Sequence, residues 1–114
     1  MQDVLKIFHA AIFTLVTGDY SLRKRLFYAY CNNLAYLKYD EIPEEIKFDF
    51  RQLSTDLMRC KIETNEKTIE ATINKIDDNE VWHMAFKILR MYNTLQQVEQ
   101  IYSTSACYKV RTQP

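Results

Sequence analysis

DEIPEEIKFDFRQLSTDLMRC, residues 40–60, decides the fold class. Ile46, Phe50, Leu53, Leu57 and Cys60 recur at steps of four and three, which lines one face of a helix with 3.6 residues per turn. Pro43 reads as the first-turn proline of that helix, where a missing N–H costs nothing. Glu44 and Glu45 follow at the positive end of the helix dipole. Phe48 does not fit the stripe; it falls on the opposite side, near Arg51, Gln52 and Arg59.

The same period runs outward from this segment in both directions. Val4, Leu5, Phe8, Ala11, Ile12, Leu15 and Val16 predict a helix over residues 3–17, leaving Phe13 as a second misfit. Gly18 stands where a helix end favours a left-handed residue. Asp19 or Ser21 can cap a second helix reaching about residue 37, with Leu22, Leu26, Tyr30, Leu34 and Leu37 inward. Downstream, Asn65 reads as the cap of a short fourth helix carrying Ile69, Ile73 and Ile76. Asp77 and Glu80 have the spacing of a capping box. They open a last helix to about residue 103, with Val81, Ala85, Ile88, Leu89, Tyr92 and Leu95 inward and Trp82, Met84 and Met91 flanking.

Composition supports the same reading. The 114 residues fit one domain with a core of its own, and they hold one glycine and two prolines. Sheet turns and phosphate-cradling loops both need more turn residues than that. The expectation is an all-α, compact bundle of about five helices over residues 1–103, followed by a polar, frayed tail over 104–114. Residues 7–16 resemble the apolar core of a leader, but Asp3, His9 and the lack of a small-x-small site argue for a helix instead. No run approaches the roughly 18 apolar residues of a membrane span. Cys31, Cys60 and Cys107 are few and scattered, which fits a reducing, cytoplasmic setting rather than a disulfide framework.

Few residues point to chemistry. Glu80 and His83 have the Glu-x-x-His spacing of di-iron bundles, but a second pair is lacking and His83 shares its face with Lys87, Arg90 and Thr94. Cys31 and Cys60 fall on or beside inward faces, as small core residues do. The acidic cluster Asp40, Glu41, Glu44, Glu45 and Asp49 is explained mainly by a helix start. No catalytic residues, metal ligands or cofactors are expected, and an enzyme is not.

RKRLFYAYCNNLAYLKY, residues 23–39, is the stretch that packing leaves unexplained. Tyr30 shares a side with Leu26, Leu34 and Leu37, whereas Tyr28, Tyr36 and Tyr39 interleave with Arg25 and Asn32 on another. Either a neighbouring helix covers these three or they form an exposed aromatic patch, and an exposed patch marks a protein contact. Arg25, Tyr28, Tyr36, Tyr39 and Phe48 are therefore the candidate partner-contact residues. The alternative is nucleic-acid binding through Arg23, Lys24, Arg25 and the tyrosines. It is disfavoured because fifteen cations balance fifteen anions.

RLFYAY at 25–30, EIPEEI at 41–46, IEATI at 69–73 and AFKILRMY at 85–92 together resemble a loosely defined family of short, uncharacterised, all-helical bacterial proteins. The likeness spans about residues 8–95. It implies one compact domain and attaches no activity. Expected, then, is a non-enzymatic protein–protein interaction module, a homo-oligomer or small accessory subunit of a larger bacterial assembly, with no membrane contact.

Overall fold

The computed structural model describes residues 2–60 and 64–112, with side chains for 3–60 and 64–100. It is an all-α bundle. The order is α1 (Gln2–Val16), α2 (Leu22–Asn32), two 3-10 turns (Leu34–Tyr36 and Tyr39–Glu41), α3 (Glu44–Leu57), α4 (Asn65–Lys75) and α5 (Asp78–Thr112). No strand occurs among the described residues, and none of the described helices is long and apolar enough to cross a membrane.

The third-helix stripe is buried as its spacing predicts. Ile46, Phe50, Leu53 and Leu57 are all in the core, and Phe50 packs 6.4 Å from the ring of Phe8 on α1. Phe8, Leu26, Leu34, Ile88 and Leu95 are fully enclosed around them. The helix ends where Met58 N–H bonds the Ser54 and Thr55 carbonyls, so Cys60 lies beyond it and donates its N–H to Thr72 Oγ1, 3.0 Å away. Pro43 stands one place earlier than expected, as the N-cap rather than inside the first turn.

Two helix starts are capped as the sequence implies. Lys24 N–H donates to Ser21 Oγ at 3.3 Å, and Glu80 N–H to Asp77 Oδ1 at 2.8 Å. Glu80 does not complete a box through its own side chain, which accepts from Arg59 at 3.2 Å. At α4 the cap is Thr64, one residue before Asn65. Gly18 adopts φ 92°, the left-handed conformation that ends α1 and that side chains other than hydrogen resist.

Several expectations are corrected, and Val16, read as part of the inward stripe of α1, is 68% exposed. The second helix stops at Asn32, not near residue 37, because Asn33 turns its side chain back onto the Ala29 carbonyl. Asparagine offers the backbone such alternatives to helical bonding. Leu34 remains buried, but from a 3-10 turn. The inner face of α5 is also rotated: Val81, Met84, Ile88, Met91 and Leu95 are buried, whereas Leu89 is 39% and Trp82 53% exposed. The α5 backbone continues to Thr112, past the end of the apolar pattern near residue 103. Cys107 lies outside the residues whose side chains are described.

Candidate interaction surface

The arginines of the Arg-Lys-Arg triplet are engaged within the fold. Arg23 Nη1 donates to the Ile73 and Ile76 carbonyls at 2.5 and 2.6 Å, and its Nη2 lies 2.7 Å from Asp78. Arg25 donates to the Leu15 carbonyl at 2.6 Å and the Tyr20 carbonyl at 3.0 Å. Each guanidinium thus meets the carbonyl-rich, negative end of a helix, α4 in one case and α1 in the other. Lys24 sits over the Tyr20 ring at 5.2 Å.

The tyrosines make different contacts. Tyr28 is half-buried, 5.5 Å from the rings of both Tyr20 and Phe27. Tyr39 lies against α3, with Lys47 and Arg51 at 5.0 and 5.7 Å from its ring centre. Phe48, on that helix, and Tyr36 are each 75% exposed. Tyr30 is core, its hydroxyl 2.9 Å from Ser54 Oγ. Within the acidic cluster, Glu41 accepts from the Lys38 N–H, Glu44 pairs with Lys47 at 3.5 Å, and Asp49 pairs with Arg90 at 3.3 Å.

Burial pushes the Cys31 thiol up to about 11, and the carboxylates of Glu66 and Glu70 add to the effect. A thiol so placed stays protonated in neutral solution, and the thiolate is the nucleophilic form. No group of three His, Cys, Asp or Glu side chains that could hold a metal ion occurs among the described residues.

A more coherent surface lies on α5. Three of its charged side chains meet α3 or the residues just after it: Glu80 pairs with Arg59, Lys87 Nζ donates to Gln52 at 2.8 Å, and Arg90 pairs with Asp49, while Asp78 at the helix start pairs with Arg23 of α2. On the side toward α1, every residue of the helical arc from Trp82 to Gln97 is uncharged. Trp82 and Phe86, one turn apart, stack at 5.2 Å with only 7° between their planes. With Ala85 and Leu89 they form one wall of a groove of about 230 Å³. Ile12, Leu15 and Val16 of α1 line the other side, together with Leu22 of α2.

The two helices run antiparallel here. Three residues before Ile12 is His9, and three after Leu89 is Tyr92; His9 Nδ1 lies 2.8 Å from the Tyr92 hydroxyl. That step is about 4.5 Å along each axis, so the polar pair lies just beyond Ile12 and Leu89. Gln96 donates to the same hydroxyl at 3.1 Å. Phe13 and Val16, 63% and 68% exposed, extend the apolar surface along α1.

A family model described as acyl transferase matches residues 3–111. The chain belongs to that family. All four segments of the resemblance read in the sequence fall inside the matched span, and the family is described by an activity rather than as uncharacterised. No curated protein and no solved structure matches the chain.

Sequence reasoning identified Phe13 as a misfit but placed Leu89 inside and Trp82 beside the core. The signal that was available is the uncharged arc of α5, in a chain where about a quarter of residues are charged.

Proposed function

We propose that this member of the acyl transferase family is a protein–protein interaction module, and that its contact is the groove and the uncharged α1/α5 face around it. The partition of charge on α5 carries this reading. Interface cores are depleted in charged residues and enriched in aromatic ones, whereas an ordinary solvated helix face mixes both signs. The Trp82–Phe86 stack is the anchor, since large, stiff aromatic side chains contribute most at such contacts. Nucleic-acid binding through Arg23, Lys24 and Arg25 has less support, because both guanidinium groups already satisfy helix ends.

The test is a photo-cross-linking residue at Leu89, with the same residue at Phe48 as control, in the cells that make the protein. The proposal predicts a protein adduct at position 89 and none at 48. Irradiation that captures no protein at 89 overturns it.

The family's description favours a second reading, in which an acyl chain lies along Ile12, Val16, Phe86 and Leu89 with its carbonyl toward His9 and Tyr92. His9 would then take the proton of an acceptor hydroxyl as its oxygen attacks the carbonyl of an acyl thioester, and return it to the thiolate that leaves as the new ester forms. Such chemistry could not use a G-x-S-x-G serine elbow, for the chain has one glycine. Titration with a medium-chain fatty acid, read by Trp82 emission, separates the readings. Saturable quenching that His9→Ala weakens supports acyl binding.

A further inference from the structure

We infer that the occupant of the α1/α5 face is a second copy of this chain, docked face to face about a two-fold axis. The inference rests on the reading of that face as a protein contact and adds the identity of the partner. Its first warrant is charge. Heterologous partners are selected and steered by complementary charge, and this face has none to offer along α5 from Trp82 to Gln97. On α1, His9, Ile12, Phe13 and Val16 are likewise uncharged, and Lys6 lies just beyond Phe13 on the helical wheel. Asp78, one turn before Trp82 on the same arc, is paired with Arg23, so two copies can meet between Trp82 and Gln97 without placing like charges opposite one another. The chain's net charge of +0 adds no long-range repulsion.

The second warrant is area. Phe13, Trp82 and Phe86 are 63%, 53% and 44% exposed. Full burial of an aromatic side chain removes roughly 150–250 Å², so these three hold ~300 Å² for an interface. Val16 and Leu89 raise the apolar share to ~450 Å². A standard interface takes ~800 Å² per partner, somewhat over half of it apolar. Asn93, Gln96 and the His9–Tyr92 pair supply a polar rim of the kind that completes it.

The third warrant is shape. A groove of about 230 Å³ is smaller than the roughly 300–1,000 Å³ of most small-molecule pockets. It suits one aromatic side chain. Phe13 stands free on the adjoining helix, and a two-fold axis brings each copy's Phe13 to the other's groove, which is the reciprocal arrangement of an isologous contact.

The experiment is sedimentation velocity on the full chain from low micromolar to near-millimolar concentration. A reversible doubling of mass is expected. Phe86→Glu should abolish it while leaving the helical circular dichroism intact, and Phe48→Glu should dimerise like the parent. If Phe86→Glu misfolds, Val16→Glu carries the same test at a more exposed position. A chain that stays monomeric throughout overturns the second-copy proposal alone, because a cross-link from position 89 to a different protein would still uphold the contact. A dimer that survives both substitutions overturns the proposal and counts against the face as a self-contact.

Discussion

Arg23 and Asp78 are joined at 2.7 Å across α2 and the start of α5, while the same guanidinium holds the carbonyls of Ile73 and Ile76. One side chain thereby ties α2, the end of α4 and the start of α5 at a corner with only Ile76 and Asp77 between the last two helices. Asp78 is almost fully exposed and Arg23 is not, so the carbonyl bonds outweigh the ion pair.

Arg23→Met is accordingly predicted to cost about 2 kcal/mol, the scale of lost hydrogen bonds to a charged group. Asp78→Ala should cost less than about 0.5 kcal/mol, as an exposed ion pair does. Urea denaturation of the two variants decides it. Equal losses would mean that the ion pair, not the helix-end clamp, does the holding.

Alkaline pH should weaken the fold through neighbouring residues of α2. Burial raises the Tyr30 phenol above its ordinary 10.0, although its bond to Ser54 opposes the shift. The Cys31 thiol rises from 9.0 to about 11. Both groups bind their protons more tightly folded than unfolded. Their contribution is complete below pH 9 and is lost as pH rises, for Cys31 toward about 11 and for Tyr30 above 10. Cys31→Ala should flatten the decline of the urea midpoint between pH 9 and 11. A decline as steep as the parent's would contradict the thiol's part in it.

Leu53→Ala should cost roughly 2–5 kcal/mol, because Leu53 is 1% exposed and its removal opens a cavity between α3 and its neighbours. Asp77→Ala should cost ~1 kcal/mol by removing the acceptor for the Glu80 N–H. Thermal or urea unfolding checks both, and a silent Leu53→Ala would contradict the packing of α3.

Much of the bundle is legible in the sequence where one physical term dominates. Ile46, Phe50, Leu53 and Leu57 fall on one arc and Phe48 is the one apolar residue of the helix off it, so the wheel has a single solution. Ser21 and Asp77 are caps because their oxygens reach an N–H three residues on. The end of α2 is not legible, since Leu34 and Leu37 prolong the apolar spacing while Asn33 decides the backbone. Nor is the rotation of α5. Met84, Met91, Trp82, Phe86 and Leu89 spread apolar character around the helix, and the cross-helix pairs with Arg59, Gln52 and Asp49 choose which side α3 takes. The triplet at 23–25 misleads for a related reason. A cation's partner can be a carbonyl 50 residues away, as Ile73 is to Arg23, and no local spacing records it.

Trp82 is the chain's one tryptophan, and it lies on the proposed contact. Acrylamide quenching of its fluorescence therefore reads the face directly. At low concentration the indole should be readily quenched, in keeping with its 53% exposure. As concentration rises through the range where mass doubles, quenching should fall and emission should shift to the blue, with neither change in Phe86→Glu. A Trp82 that remains equally open to quencher in monomer and dimer would contradict the account.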